Sequence, residues 1–216
     1  MSSMTSSVFA LSRRAALLGA VFLAVPAYAN AQAIAPDAAK KFIENLGNRT
    51  VDVIKAASTA PERSAAFTRI MLDGLDFDTI GTMAIGKLAR AATAEQKREY
   101  TPLFAAYVID VAIARFGNLQ IKSFGLGSAA SQPNGDVKVH TRIVTGERPM
   151  EVYWRVRETG GGPKINDIEV EGASLAIHYR GEFERAGVAT VPQVIARLKE
   201  LTKGSTTVAM TQQAMK

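Results

Sequence analysis

The chain has 216 residues, of which 47% are hydrophobic and 21% charged, with a formal net charge of +6 and no cysteine. Those proportions fit one ordinary globular domain rather than a disordered or multi-domain chain. The lack of cysteine excludes disulfides, thiolate metal sites and a catalytic thiol, and the charge, spread with no Lys/Arg run or interleaved aromatics, argues against a nucleic-acid partner.

The chain opens with a targeting pattern. Arg13 and Arg14 precede an uncharged apolar run over residues 15–25, followed by Pro26 and the small-residue sites "AYA" and "ANA". A basic segment, a short apolar segment and an A-x-A site read as a secretory signal peptide, here residues 1–31. About eleven apolar residues are too few to span a bilayer, which takes roughly 20. The Arg-Arg pair also fits a loose twin-arginine signal, so the sequence leaves the general and twin-arginine export routes both open. Loss of residues 1–31 removes two arginines and no acid, leaving +4. Residues 32–204 are expected to form a single domain and 205–216 a loose polar tail.

Residues 35–57 carry Phe42, Leu46, Val53 and Ile54 among lysines, arginines and acids, the pattern of an amphipathic helix with a possible break at Gly47. A second helix follows from Pro61, with Phe67, Ile70, Met71 and Leu75 at helical spacing. "LDFDTIGTMAIGKLA" reads as short helical pieces, with Asp78 as the cap candidate. "TAEQ" at 93–96 is a capping box, and Pro102, two turns later, predicts a kink or a fresh start. Over residues 103–116 only Asp110 and Arg115 are charged, so this helix is buried on several sides or lines an interior space.

After Gly117 the period becomes two. Residues 121–128, 137–143, 152–156 and 164–170 read as strands, separated by the turns "TGERP" and "TGGGP". A last helix is expected over 192–203, with Val194, Ile195, Leu198 and Leu201 on one face. The fold class is therefore α+β, with N-terminal helices and a C-terminal helix on one face of an antiparallel sheet of about four strands.

One sheet face carries Val137, Val139, Ile143, Val152, Trp154, Val156, Ile168 and Val170, and the other Lys138, His140, Arg142, Arg155, Arg157, Asp167, Glu169 and Glu171. Acids opposite arginines on a wet face form a cross-strand charge ladder and are held ionised, which suits poorly a carboxylate pair doing acid–base work. His140 and His178 lie on different elements without metal-ligand spacing, and no G-x-S-x-G or phosphate-binding glycine loop is present. Nothing here supports an enzyme, a cofactor or a metal site. The apolar positions leave two readings: a plain core, or a cleft between helices and sheet that holds an apolar ligand. Such a cleft would draw on Phe77, Ile80, Met83, Ile85 and Leu88, on Phe104, Tyr107 and Val111, and on Val139, Val152, Trp154, Val156, Ile168 and Val170.

"FDTIGTMAIGKLARAATAEQKREYTPLFAAYV", "VYWRVR" and "KINDIEVEGASLAIHYRGEF" resemble the signature blocks of the MlaC, or toluene-tolerance auxiliary, family over about residues 36–203. The resemblance implies a periplasmic phospholipid carrier with an apolar pocket between helices and sheet. Its partners would be an inner-membrane ABC transporter with a membrane-anchored substrate-binding component, and an outer-membrane lipoprotein–porin complex. It would act as a monomer, without covalent chemistry and without a cofactor beyond the bound lipid. Position for position, Val152, Trp154, Val156, Ala173 and Leu175 fall where the family lines its pocket. Leu88-Ala89 stands where the family has an aromatic, and Ala173 where it has valine. Both trim bulk, which leaves a hopanoid-like lipid open as ligand. The alternative of a different class is a periplasmic adaptor whose apolar face is filled by its own side chains.

Overall fold

The computed structural model describes residues 33–56, 59–116, 123–144 and 149–216. The expected leader, the first residues of the expected opening strand and the turn at 145–148 lie outside them. Helix α1 (Pro36–Lys55) runs unbroken through Gly47. A Cβ at that glycine would stand 2.8 Å from the ring of Phe124, so the missing side chain lets helix and sheet close on each other. Helix α2 (Ala60–Gly74) follows, then α3 (Phe77–Ile85) and a 3₁₀ turn at Gly86–Arg90. The cap of α3 is Asp76 rather than Asp78: its carboxylate accepts from the Thr79 amide at 2.9 Å and the Thr79 hydroxyl at 2.6 Å.

Helix α4 (Ala94–Phe116) starts at the expected capping box, Thr93 and Gln96 bonding each other's backbone amides at 3.0 and 3.1 Å. Of the two outcomes expected at Pro102, a fresh start is not what the chain does. The proline is buried within one continuous helix, where packing along the apolar length outweighs one lost backbone bond.

Strands β1 (Ser123–Ser131), β2 (Val137–Val144), β3 (Pro149–Thr159), β4 (Gly162–Val170) and the two-residue β5 (Ala173–Ser174) form one antiparallel sheet in the order 1-2-3-4-5. The expected meander is present with one short strand added. Glu171 and Gly172, both at positive φ (49° and 81°), make the tight turn between β4 and β5. Two helices were not read from the sequence. Helix α5 (Leu175–Arg185) follows β5 directly, and α7 (Thr207–Ala214) replaces the loose tail. Between them lies α6 (Val191–Leu201), whose Val194, Ile195 and Leu198 are buried while Leu201 is exposed.

Helices α1, α2, α3 and α5 pack on the sheet, α4 lies against α2 and α3, and α6 and α7 cover α4. Tyr100 donates to the Gly81 carbonyl at 3.0 Å, a close approach of α4 to α3 that a Cβ at Gly81 would obstruct. Arg180 of α5 donates its Nε to the Met83 carbonyl at 3.0 Å and so closes the end of α3. Among the described residues no helix is long and apolar enough to cross a membrane.

Candidate functional site: an apolar cavity at one end of the interlayer

The space between helices and sheet is filled at one end and hollow at the other. At the filled end lie the start of β2 (Val137, Val139), the end of β3 (Val156) and Ile165 of β4, packed on Phe77, Ile80, Phe104 and Ile109, all at most 2% exposed. Tyr100, Phe104 and Tyr179 stack edge and face at 5.5 Å between centroids. At the other end a cavity of about 700 Å³ opens between α1, α2, the last two turns of α4, the sheet and the start of α5.

The sixteen residues drawn from the sequence divide between these ends. Val111, Val152, Trp154, Ile168, Val170, Ala173 and Leu175 line the cavity. Phe77, Ile80, Ile85, Phe104, Val139 and Val156 belong to the filled core, with Met83, Leu88 and Tyr107 half-buried against it. The boundary crosses β3 between Trp154 and Val156, two residues on the same face. Sequence alternation finds that face but does not say where along it the opposing helices stand off.

The rest of the wall comes from elements read only as helix or strand: Ile43, Leu46 and Val53 of α1, Phe67, Ile70 and Met71 of α2, then Phe124, Ile143 and Met150. The signal for them was the apolar stripe on α1 and α2, which has no other partner large enough to cover it. Inside the wall, Trp154 Nε1 donates to Thr141 Oγ1 at 2.8 Å, so the indole is oriented and its polar atom satisfied.

Polar groups gather where the cavity opens. Thr50, Arg63, Ser64, Arg115 and His178 line it there, and none of the described lining residues is acidic. Behind this rim, Tyr107 donates to Glu182 at 3.1 Å and His178 Nε2 lies 3.2 Å from the same carboxylate. Burial, then the charge of Glu182, pushes the Tyr107 phenol up, and burial does the same to Tyr179. Both phenols therefore stay protonated, Tyr107 as the donor to Glu182.

The carboxylates singled out by the sequence lie elsewhere. Glu169 accepts from Lys138 at 2.6 Å and from Arg155 at 3.3 Å, which hold it below the usual carboxylate range. Glu151 is held down likewise by His140 and Arg142. These form the expected charge ladder, with two changes. Arg157 sits across from Lys164 rather than an acid, and reaches Asp136 instead, at 2.6 and 3.1 Å. Asp167 is buried, not wet: it accepts from the Ser174 hydroxyl at 2.7 Å and the Ile168 amide at 3.0 Å, pinning the chain as it turns into α5. A second hollow of about 530 Å³, bounded by Asp76, Asp78, Lys97, Arg98 and Lys164, sets both signs of charge beside Leu72, Leu75, Phe77 and Met215.

Residues 44–200 match the family model described as MlaC protein, well over half of the chain. The chain belongs to the MlaC family. No curated protein matches the sequence. Among solved structures, a phospholipid-binding protein from Ralstonia solanacearum, in complex with a phospholipid, superposes with a TM-score of 0.66 at 18% identity, covering 82% of this chain and 99% of that one. This likeness establishes a shared fold between the MlaC-family chain and that protein.

Proposed function

We propose that the protein binds phospholipid, with acyl chain in the cavity and head group at the polar rim, and carries it across the periplasm. Its donor and acceptor would be an outer-membrane lipoprotein–porin complex and an inner-membrane ABC transporter with its membrane-anchored component. One observation carries the reading: an apolar cavity of about 700 Å³, open at one end, in a member of the MlaC family. That volume lies within the roughly 300–1,000 Å³ of sites that enclose a small molecule. The superposed Ralstonia protein, described with a phospholipid bound, supports the choice of ligand.

Binding and release need no covalent step. Each methylene moved from water into the cavity stabilises the complex by about 0.8 kcal/mol, so ten contribute on the order of 8 kcal/mol. That is enough to hold a chain in transit, and a membrane or partner that offers equal burial can take it back. A cavity that the protein's own side chains leave unfilled also speaks against the adaptor reading.

The test is extraction and mass spectrometry of protein purified without detergent, followed by transfer of a labelled phospholipid between two vesicle populations. Near-stoichiometric phospholipid and accelerated transfer are expected. Protein free of lipid that takes none from vesicles would sink the carrier and leave the adaptor.

A further inference from the structure

The helices around the apolar cavity agree on which end of it is deep. On α1 the lining passes from Thr50 at the polar opening to Ile43, and on α4 from Arg115 to Val108. On α2 one face carries Ser64, Phe67 and Met71 down to Leu75 at the end of the helix. Ile43, Leu75 and Val108 are at most 3% exposed and belong to the packed core as well as to the cavity wall. Ser64 and Leu75 are eleven residues apart, which at about 1.5 Å per residue makes the cavity about 16 Å deep along α2.

Leu75 has a second neighbour. Among the described residues it is the one shared by the linings of the cavity and of the second hollow. Its backbone is anchored on both sides: the Leu75 amide donates to the Met71 carbonyl at 2.9 Å, the Asp76 amide donates to the Ile165 carbonyl at 2.8 Å, and Leu75 itself bridges to Ile165. What stands between the two hollows at this point is therefore a leucine side chain on a fixed backbone.

We propose that Leu75 is the floor of the lipid cavity and sets the longest acyl chain that the protein takes up in full. This rests on the phospholipid-binding reading above and specifies its substrate class by chain length. The hydrocarbon of one leaflet is about 15 Å thick, half of a core of roughly 30 Å, so an ordinary membrane chain with its head group at the rim ends close to Leu75. A methylene that fits exchanges burial in the bilayer for burial in the cavity, and changes uptake little. A methylene beyond the floor loses the first without gaining the second. Each one disfavours uptake about fourfold, the equivalent of about 0.8 kcal/mol.

The experiment incubates delipidated protein with vesicles of equimolar phosphatidylcholines of graded saturated chain length, then quantifies the extracted lipids by mass spectrometry. Wild-type uptake should be level up to a limiting length and fall about fourfold per methylene beyond it. Leu75→Ala should raise the limit by about two methylenes, the reach of the carbons removed, because Leu72, Phe77 and Met215 of the second hollow can then receive the end of the chain. Leu75→Val, a milder truncation that spares the fold, should raise it by about one. Leu72→Ala, at a residue that lines the second hollow and not the cavity, should leave it in place. Bound lipid that mirrors the chain lengths of the vesicles would overturn the inference and leave phospholipid binding standing. A limit unmoved in both Leu75 variants, or moved as far by Leu72→Ala, would overturn the assignment to Leu75. No bound lipid of any length would overturn both readings together.

Discussion

Asp136 illustrates what single residues contribute away from the cavity. It is wholly buried at the start of β2 and accepts from Arg157 at 2.6 and 3.1 Å, from Asn134 at 2.9 Å and from Asn166 at 3.1 Å. Burial alone would raise its pKa, but the donors from Arg157 and the two asparagines outweigh it, and the net shift is downward. A carboxyl whose folded pKa is depressed adds stability that is full above its unfolded value, near 3.9, and is lost as pH falls through the folded one. Asp136→Asn should therefore cost about 1–3 kcal/mol at pH 7, since the amide accepts on one oxygen only. Urea unfolding of both proteins should show the gap closing as pH drops below about 4, through loss in the wild type. A gap independent of pH would show that the carboxylate's charge is not what matters. In the sequence Asp136 is one acid beside a turn, and its importance follows from Asn166, the extra residue at the irregularity where Val156 pairs with Ile165 and Arg155 with Asp167. Period-two counting does not locate such an insertion.

Among elements, α1 shows packing overriding local preference. Alanine normally favours a helix interior over glycine by roughly 0.5–1 kcal/mol. At Gly47 that gain meets a Phe124 ring that would lie 2.8 Å from the new methyl, so the ring must move. The ring borders the cavity and has space to yield into it. Gly47→Ala is expected to leave stability within about 1 kcal/mol of wild type while lowering lipid occupancy in the extraction assay. Unchanged occupancy at unchanged stability would show that the ring moves elsewhere. The helix–sheet–helix order, the capping box at Thr93 and the meander were legible because they rest on local chemistry and periodicity. Helix α5 was not. Its Ser174 cap, whose hydroxyl accepts from the Ile177 amide, follows a strand-like run, and the buried Asp167 that fixes the turn looked like another wet acid. Likewise Thr207 and Thr211 of α7 are buried against their neighbours, although a threonine-rich end reads as solvent-exposed.

Across the whole molecule, the candidate site was legible as a face but not as a position on it. Alternation placed Val139, Val152, Trp154 and Val156 together, and only the helix residues opposite each of them separate filled from hollow. How closely the elements around the cavity approach is set by side chains distant in sequence, such as Leu46 of α1 against Gly74 of α2, where a Cβ would lie 2.9 Å from a leucine methyl.

Helix α4 spans that division. Its Leu103, Phe104, Ala105 and Ala106 are buried away from the cavity, whereas Val111, Ala112, Ile113 and Arg115 line it. On the proposed reading, one hydrogen-bonded rod would be supported by two kinds of neighbour, one permanent and one that arrives with the lipid. Amide exchange with heavy water reads this directly, because local opening is governed by local support. The amides of the first segment should exchange slowly at the same rate in delipidated and loaded protein. Those of residues 111–115 should exchange faster when delipidated and slow on loading, and equal rates in both states would contradict the division. The cargo would then act as the missing part of the core, supplied and withdrawn with every cycle of transport.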